Sequence, residues 1–396
     1  MKILFLDQTG EIGGAELALA DIAHPYRQDC LVGLFADGPF RNVLEQRQIP
    51  VQILSSNPIK VSRESGWLGG LLSLKSLMPL ILQVASLSRE YDLIYANTQK
   101  AMVVGAIASL LSHRPLVVHL HDILSKEHFS WMNRRLSTLL TNSFASLVIA
   151  DSEATKDAFV QAGGRPDITQ VVYYGFDVKQ YQQHQPQAAS RQWLEQQIGV
   201  KDCFIVGHFG RITEWKGQHI LIEALTHCPE NVIAVFVGGS IFGSKEYVEQ
   251  LYQQVTELGL EQRVMFLGFR PDVTKYMAGC DLVAHTSISP EPFGRVIVEG
   301  MLCGRPVVAA AAGGAVEIVE HDRTGWLSAP GDAQKLSEVI NQCRSHPDQA
   351  AAIAQRGQHF ASQTFHIDTT GQKVAQLLAS VVKNQPLPQV RTSAVS

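Results

Sequence analysis

Short apolar runs alternate with stretches of helical periodicity along most of the chain, and this alternation restricts the fold more than any other feature. A buried parallel strand reads as a continuous apolar run, and each parallel crossover needs a connection long enough for a helix. The pattern therefore predicts an α/β protein whose parallel sheets are covered by helices on both faces. The runs are KILFL (2–6), CLVGLF (30–35), VQIL (51–54), LIYA (93–96), LVVHLH (116–121) and LVIA (147–150), then FIVGHF (204–209), IAVFVG (233–238), RVMFLG (263–268), LVAH (282–285) and PVVAAA (306–311).

The alternation occurs twice, and 396 residues are enough for two domains with complete cores. We predict two Rossmann-like, doubly wound domains that face each other across a cleft, one over residues 1–181 and one over 200–361. The Gln-rich stretch 182–199 contains no strand pattern and is predicted to be a linker. Helical spacing marks 371–383, and 384–396 is predicted to be a disordered tail.

The composition excludes several classes of protein. A formal net charge of −4 gives no basic surface for nucleic acid. The six cysteines form no CxxC pair and are interpreted as buried apolar side chains in a reducing compartment. The opening MKILFLDQTG predicts a first strand rather than a secretory signal, and the sequence contains no run of 18 apolar residues. We therefore expect a cytoplasmic protein without a nucleic-acid partner.

Glycines follow the first strand in DQTGEIGGAELAL, where Gly13 and Gly14 precede a helix that is predicted to open near Ala15. Because glycine has no side chain, an anion can approach the backbone N–H groups at the positive end of a helix. The spacing differs from G-x-G-x-x-G, and a simple tight turn is the alternative interpretation.

Histidines occur at the end of the fifth apolar run, in LVVHLHD. By the period of two, His119 and His121 share one face, and His121 lies at the carboxyl end, where ligands bind in such sheets. His119 is predicted to be a core histidine. A metal site formed with His128 is the alternative, although no carboxylate lies at ligand spacing. Asn97 to Lys100 follow another strand and are interpreted as a solvated loop.

Two cations occur in the first loop of the second half, within GHFGRITEWKGQH. A strand is predicted to end at Phe209 and a helix to begin near Gln218, so Arg211 and Lys216 lie in the eight-residue loop between them. A guanidinium and an ammonium at a strand end suit a diphosphate. A solvated loop is the alternative when this motif is taken alone.

Two carboxylates flank an apolar segment in EPFGRVIVEG. Glu291 and Pro292 resemble a helix start, and the first amides, at Phe293, Gly294, Arg295 and Val296, are predicted to hold an anion. Glu299 lies eight residues from Glu291, about 80° from a whole number of helical turns. The two acids can therefore contact opposite ends of one ligand with phosphates in its middle, as in a nucleotide-sugar. A capping acid and a surface acid are the alternative.

Together these motifs resemble the retaining glycosyltransferases of the GT-B architecture, specifically glycosyltransferase family 4. The resemblance covers about residues 2 to 360 and rests on GGAE, HD at 121–122, GRITEWKG and EPFGRVIVEGMLCGRPVVAAAAGGAVEIV. YYGFD is similar to the family's turn of Asn, Gly, an aliphatic residue and Asp, although Tyr174 replaces the usual Asn.

The resemblance implies a hexosyltransferase and a role for each matching residue. Gly13, Gly14 and the amides at 293–296 are expected to hold the diphosphate of the donor, while Arg211 and Lys216 neutralise it as it departs. Glu299 is expected to bind the ribose, Glu291 the hydroxyls of the donor sugar, and His121 to lie beside the anomeric centre. The resemblance also implies that a last helix, 362–383, returns to the first domain.

The chemistry of the expected reaction agrees with these residue types. Departure of a nucleoside diphosphate builds negative charge that fixed cations and helix amides can stabilise. The sequence contains no Asp-x-Asp pair, so we expect no metal and no other cofactor. Two alternatives stay open: a nucleotide-sugar epimerase of the same architecture, and a non-catalytic relative that binds nucleotide-sugar.

The acceptor is expected to be a glycan or a lipid-linked molecule. Residues 60–135 hold nine Lys/Arg against five Asp/Glu and include the apolar stretch SGWLGGLLSLKSLMPLILQVASLSRE (65–90). A basic, apolar surface suits reversible contact with an anionic bilayer, here the inner face of the membrane. An ordinary core helix is the alternative interpretation of 65–90.

Overall fold

The computed structural model describes residues 1–55, 67–126, 129–182, 187–239 and 245–388. The chain forms two compact units. Met1–Gly175 and residues 367–388 form the first unit, and Phe176–His366 forms the second. Each unit is built around its own parallel sheet.

The first unit follows the predicted alternation from its first residues. Its seven strands pair in the order β3-β2-β1-β4-β5-β6-β7, and every pairing is parallel. The elements are β1 (Ile3–Asp7), α1 (Gly14–Ala23), β2 (Cys30–Leu34), α2 (Pro39–Gln46), β3 (Val51–Ile53), α3 (Trp67–Ser88), β4 (Leu93–Ala96), α4 (Gln99–Ser112), β5 (Leu116–Leu120), α5 (Trp131–Phe144), β6 (Ala145–Ala150), α6 (Glu153–Gln161) and β7 (Thr169–Val171).

The second unit repeats this plan with six strands in the order β10-β9-β8-β11-β12-β13, again all parallel. Its elements are α7 (Val178–Gln182), α8 (Gln187–Ile198), β8 (Phe204–Phe209), α9 (Gln218–Leu225), β9 (Val232–Val237), α10 (Lys245–Glu257), β10 (Val264–Gly268), α11 (Val273–Gly279), β11 (Leu282–His285), α12 (Arg295–Leu302), β12 (Val307–Ala310), α13 (Ala315–Ile318), β13 (Trp326–Ser328), α14 (Ala333–Ser345) and α15 (Pro347–Thr364).

The strand order of each sheet reverses at one point. In the first unit the reversal falls between β1 and β4, and in the second it falls between β8 and β11. Loops that leave the carboxyl ends of two such strands diverge to opposite faces and leave a crevice where ligands bind. Ligand-binding residues are therefore expected in the loops after β1 and β4 and in those after β8 and β11.

The Gln-rich stretch differs from its predicted role as a linker. Residues 187–198 form helix α8, which packs against α11 in the second unit. Leu194 is fully buried, and Arg191 pairs with Asp281 and Glu195. Gln is a good helix former, so a few anchoring side chains are sufficient to hold this polar sequence as a packed helix.

Two short strands lie outside the predicted apolar runs. β7 comprises only the three residues Thr169–Val171. β13 comprises only three residues, Trp326 to Ser328, and lies outside the predicted runs. Such short segments carry too few residues for a periodic pattern to be read.

The last helix, α16 (Ile367–Val382), belongs to the first unit. Its buried side chains Val374, Leu377 and Leu378 join the core formed with Ile3 and Phe5 of β1. The predicted tail begins at 384, yet Leu387 still packs against this core. Residues 389–396 of that predicted tail lie outside the described residues.

The six cysteines are free thiols, as predicted. Four of them (Cys30, Cys228, Cys280 and Cys343) are buried, and Cys203 and Cys303 are partly buried. Burial raises the pKa of the Cys303 thiol to about 12, so it is protonated at neutral pH. Over the part of the chain that the structure describes, none of the helices has both the length and the apolarity to cross a bilayer.

The docking of α16 predicts a large loss of stability when its core contact is removed. Leu377 is 0% exposed, so Leu377→Ala should lower the free energy of unfolding of the first unit by about 2–5 kcal/mol. Chemical denaturation followed by circular dichroism measures this change. Gln376→Ala, at an exposed position of the same helix, is the control and should change stability by less than about 0.5 kcal/mol. Equal stability of the two variants would show that α16 contributes little to this core.

Candidate functional site

Five polar side chains lie at the carboxyl ends of neighbouring strands in the first unit. Asp7 ends β1, Asn97 follows β4, His121 follows β5, Asp151 follows β6, and Tyr174 lies three residues beyond β7. Because these strands adjoin in the order β1-β4-β5-β6-β7, the five side chains form one row along the sheet edge.

Hydrogen bonds join this row from end to end. Asn97 Nδ2 donates to Asp7 Oδ2 at 2.7 Å, and Asn97 Oδ1 lies 2.8 Å from Nε2 of His121. His121 Nδ1 lies 2.6 Å from the Tyr174 hydroxyl, which donates to Asp151 Oδ2 at 3.0 Å. Both ring nitrogens of His121, the predicted sugar-contacting residue, are therefore engaged by protein side chains.

Burial sets the protonation of two neighbouring groups. It raises the pKa of Asp7 to about 6, although the hydrogen bond from Asn97 opposes the shift. It lowers the pKa of His119 to about 3, and His119 Nδ1 lies 2.8 Å from the Tyr95 hydroxyl. The interpretation of His119 as a core histidine is confirmed, although its buried Nε2 has no hydrogen-bond partner among the described residues. Its ring centroid lies 3.9 Å from that of His121.

One histidine of the alternative metal site, His128, lies outside the described residues. The ring nitrogens of His121 and Nδ1 of His119 face the side chains given above. Across the described ranges, the structure forms no group of three or more His, Cys, Asp or Glu side chains that could hold a metal ion.

The predicted glycine turn lies beside the row of polar side chains. Gly13 is the N-cap of α1, which begins at Gly14, and Asn97 Nδ2 donates to the carbonyl oxygen of Ala15 at 3.1 Å. A Cβ atom on Gly13 would lie 2.6 Å from Oε2 of the buried Glu16. The turn is where it was predicted, and a larger residue at Gly13 would require the Glu16 carboxylate to move. Binding of a diphosphate at this turn stays a prediction.

In the second unit, Lys216 and Glu291 form a bidentate ion pair. Lys216 Nζ lies 2.9 Å from Oε1 and 2.7 Å from Oε2 of Glu291, and the two side chains are only 15% and 11% exposed. Lys216 ends a 3₁₀ turn after β8, while Glu291 lies in the loop after β11. Since β8 and β11 are neighbours at the reversal of strand order, their loops meet there.

Glu291 has further partners that hold its carboxylate in place. His285 Nε2 lies 3.1 Å from Oε2, and the Ser287 hydroxyl donates to the same oxygen at 2.9 Å. Burial by itself raises the pKa of Glu291, but Lys216 and His285 outweigh it and hold the pKa well below the usual range. Gly313, at φ 63°, allows close approach, because a Cβ there would lie 2.2 Å from the carbonyl oxygen of Glu291.

Arg211 lies apart from this ion pair. Its side chain is exposed in the loop after β8, and its carbonyl oxygen accepts a hydrogen bond from Gln218 Nε2 at 2.8 Å. The structure therefore brings Lys216 to Glu291 and leaves the Arg211 guanidinium on the surface of the same loop.

The helix after β11 begins later than predicted, and the predicted capping role of Glu291 is wrong. Helix α12 starts at Arg295, with Gly294 as its N-cap at φ 106°. Glu291 instead pairs with Lys216 and forms a β-bridge to Gly313. The left-handed conformation of Gly294 stops a helix from extending back to Pro292.

The other predicted residues lie on and before α12. Phe293 is buried and Val296 is partly buried. Arg295 Nε lies 3.6 Å from Glu299 Oε1, one turn along the helix, and the guanidinium lies 4.6 Å from the ring centroid of Phe176. The Tyr181 hydroxyl lies 3.5 Å from the same Glu299 oxygen. Glu299 is thus held at a defined position on the helix, and its contact with a ribose stays a prediction.

The sequence analysis missed several members of both networks. Asn97 was interpreted as part of a solvated loop, yet it is fully buried. Asp7, Asp151, His285 and Ser287 were not singled out. One signal could have found them, since each lies at, or within two residues of, the carboxyl end of an apolar run, as in LIYAN and LVIAD.

The whole chain is similar to solved structures of known proteins. The structure is similar to those of HepE from Anabaena in complex with UDP and glucose (56% identity) and with UDP-glucose (55% identity). Each comparison has a TM-score of 0.89 and covers 96% of this chain and 100% of the other. Residues 12–180 match the sequence profile described as Glycosyltransferase Family 4, and residues 173–360 match that of Glycosyl transferases group 1.

The chain belongs to glycosyltransferase family 4.

A more distant solved structure supports the fold alone. Sucrose-phosphate synthase from Thermosynechococcus elongatus is 19% identical, with a TM-score of 0.82 over 97% of this chain and 100% of the other. Together with the two doubly wound sheets, this likeness confirms the predicted GT-B fold class.

A curated relative supports the family from sequence. The GDP-mannose-dependent alpha-(1-6)-phosphatidylinositol monomannoside mannosyltransferase of Mycolicibacterium smegmatis is 27% identical over 247 residues, which is 59% of this chain. The match spans 62% of that relative's own length.

The buried pair predicts a pH-dependent loss of stability in Lys216→Met. Removing the cation leaves the Glu291 carboxylate buried without it, which should cost about 3–5 kcal/mol of unfolding free energy at pH 7. In Lys216→Met the effect of burial on Glu291 is no longer opposed by the cation, so this carboxyl takes up a proton at a higher pH than it does in the unsubstituted protein. The difference in stability should therefore shrink as the pH falls from 7 towards 4, and shrink further below the unfolded value of about 4.3, where the unsubstituted protein loses its own contribution. Denaturant unfolding at both pH values measures this.

Lys335→Met is the matched control, because Lys335 pairs with Glu338 while 61% exposed. It should cost less than about 1 kcal/mol at either pH. If Lys216→Met behaves in the same way as the control, the buried pair does not have the assigned strength.

Proposed function

We propose that this family 4 chain is a retaining glycosyltransferase that moves glucose from UDP-glucose to a glycan or lipid-linked acceptor. The observation that carries the choice of donor is the 55–56% identity, over 96% of the chain, to HepE, whose structures hold UDP, glucose and UDP-glucose. The Lys216–Glu291 pair and the start of α12 supply groups of the kind that bind such a donor.

The departing UDP is stabilised by fixed positive groups. Breaking the bond between the anomeric carbon and the phosphate oxygen leaves negative charge on the diphosphate and positive charge on the sugar. Lys216, Arg211 and the backbone N–H groups at the start of α12 (Arg295–Leu302) are suited to bind that diphosphate. We propose that the glycine turn at Gly13 and Gly14, at the start of α1, also binds diphosphate.

Glu291 binds hydroxyls of the glucose. Its Oε2 already accepts from Lys216, His285 and Ser287, whereas Oε1 accepts from Lys216 at 2.9 Å. A carboxylate oxygen can accept more than one hydrogen bond, so Oε1 retains capacity for a sugar hydroxyl. Its depressed pKa and its bonds to cationic or N–H donors reduce its nucleophilicity, which favours binding over covalent catalysis.

The remaining roles follow the family pattern. Glu299, held by Arg295 and Tyr181, binds the ribose hydroxyls of UDP. His121 lies next to the reacting sugar. The acceptor hydroxyl attacks from the face that the phosphate leaves and passes its proton to that phosphate, which gives retention. Cationic side chains and helix amides take the role that a divalent cation has in other transferases, so we propose that no metal is required.

Release of UDP from UDP-glucose tests this proposal, with water as the acceptor. Arg211→Ala should lower the rate by about 10²-fold, because it removes a donor to the leaving anion. Arg323→Ala, which removes an exposed arginine of the same unit, is the control and should leave the rate unchanged. NMR of the glucose first formed should show the α anomer, and EDTA should not slow the reaction.

Other outcomes would contradict parts of the proposal. Formation of an epimer of UDP-glucose without free UDP would indicate an epimerase, and the β anomer would exclude retention. Faster turnover of GDP-mannose than of UDP-glucose would overturn the donor assignment.

We also propose that the first unit contacts an anionic bilayer when it takes a lipid-linked acceptor. In α5 the apolar side chains Trp131, Met132, Leu136 and Leu139 are 47–65% exposed, and Arg134 and Arg135 lie on the same helix. Leu110 and Leu111, at the end of the neighbouring α4, are also exposed. Exposed apolar side chains next to arginines favour the interface of an anionic membrane.

The apolar stretch 65–90, on which the membrane prediction first rested, has a different role where its side chains are described. Residues 65–66 lie outside the described residues, and 67–88 form α3. Leu80, Ile81 and Val84 of this helix are buried in the core, while Met78 and Leu82 are exposed. The alternative of a core helix therefore holds for the inner face of α3.

Sedimentation with phosphatidylglycerol-containing vesicles at low salt tests the membrane proposal. The double substitution Trp131→Ser and Leu139→Ser should reduce the bound fraction at least about 5-fold, because each removes one apolar side chain from the interface. Phe269→Ser is the matched control, since Phe269 is 65% exposed in the second unit. The absence of binding by the unsubstituted protein at low salt would reject the proposal.

A further inference from the structure

The hydrogen bonds around Asn97 determine the proton position on one nitrogen of His121. The Asn97 amide nitrogen donates to Asp7 Oδ2 at 2.7 Å and to the carbonyl oxygen of Ala15 at 3.1 Å. These two acceptors fix which end of the amide is nitrogen, so its oxygen faces His121 Nε2 at 2.8 Å. An amide oxygen can only accept, and Nε2 of His121 therefore carries a proton.

The bonds around Tyr174 determine the proton position on the other nitrogen. The Tyr174 hydroxyl lies 2.6 Å from His121 Nδ1 and 3.0 Å from Asp151 Oδ2. Asp151 is fully buried and directly precedes Ser152, the N-cap of α6, where the positive helix end favours a carboxylate. The Tyr174 hydroxyl has a single proton, which it donates to the Asp151 carboxylate. The short contact between the Tyr174 oxygen and His121 Nδ1 then needs a second proton, and Nδ1 must carry it.

We propose that Tyr174 is a positioning residue that, with Asp151, holds His121 as an imidazolium with both nitrogens protonated. A neutral His121 beside an ionised Asp151 would leave one of the two contacts of the Tyr174 oxygen without a hydrogen. The sequence makes Tyr174 notable independently, because it stands where the family pattern has Asn.

The catalytic value of this charge rests on the proposed function. Asn97 bridges the His121 ring to Ala15, in the first turn of α1, so a fixed positive ring lies close to the glycine turn proposed for the diphosphate. With both nitrogens engaged, His121 acts there through its charge rather than through a free N–H group.

Other titratable groups on the surrounding elements also affect His121. His119 is uncharged near neutral pH, because burial lowers its pKa to about 3. Burial likewise lowers the pKa of Lys100 and raises that of Asp7 to about 6. The titratable groups on the elements around His121 are Asp7 and Glu16 from β1 and α1, Lys100 from α4, His119 and Asp122 from β5 and the loop after it, and Asp151 and Tyr174 beyond β6 and β7.

Nitrogen NMR of the full chain labelled with ¹⁵N-histidine tests the protonation directly. His121, assigned by its loss in His121→Gln, should show two protonated nitrogens up to about pH 8, well above the ordinary histidine value of about 6.5. In Tyr174→Phe the ring should be neutral at pH 8, with its proton on Nε2. Tyr95→Phe is the matched control, because it removes an equivalent buried bond to His119, and it should leave the His121 signals unchanged.

Release of UDP from UDP-glucose tests the positioning role. Tyr174→Phe should lower kcat at least about 10-fold at pH 8 with little change in KM, and activity should recover towards pH 6 as the ring regains its proton. Asp151→Asn should shift the pH profile in the same direction, while Tyr95→Phe should not.

Each result separates this inference from the proposed function. A neutral His121 in the unsubstituted protein at pH 7 would overturn the inference even if UDP is released normally. An imidazolium that Tyr174→Phe abolishes without any change in kcat would overturn the positioning role. Failure of the unsubstituted protein to release UDP would reject the proposed function, and the NMR result would still decide the protonation of His121.

Discussion

Parallel strands of one sheet end at a common edge, and this constraint decides where the protein can assemble polar groups. In the first unit, five neighbouring strands each deliver one polar side chain to that edge, and the side chains meet in one continuous hydrogen-bonded row. In the second unit, the loops after β8 and β11 bring Lys216 and Glu291 together although 75 residues separate them in sequence. The apolar strand interiors provide the support that holds these groups at fixed distances.

The two units stabilise buried polarity in different ways. The first unit has a chain of side-chain hydrogen bonds that runs from Asp7 through Asn97, His121 and Tyr174 to Asp151. The second unit has full opposite charges in contact, with His285 and Ser287 completing the shell of the carboxylate. A buried ion pair contributes little net stability, because desolvation offsets most of the attraction. The pair instead fixes the positions of both side chains, since movement of either partner would leave the other as a buried, unpaired charge.

Local patterns in the sequence were sufficient for the fold and for part of the site. The run FIVGHF coincides with β8, and the helix expected near Gln218 begins at Gln218. The patterns failed where a distant partner decides the conformation. The local sequence predicted a helix cap at Glu291, but the structure pairs this residue with Lys216. It also predicted a loop position for Asn97, but the Asn97 amide donates to Asp7, 90 residues away. Helix α8 was missed for the opposite reason, because its packing depends on few anchors in a polar sequence.

The docking of α16 has a consequence for how the chain matures on the ribosome. The core around β1 includes Val374, Leu377 and Leu378, which are translated only after every residue of the second unit. Until then, the apolar surface around Ile3 and Phe5 that these side chains cover is exposed to solvent. The amino-terminal half therefore cannot complete this core before α16 has been synthesised, and truncation shortly before α16 would leave the apolar surface around Ile3 and Phe5 uncovered.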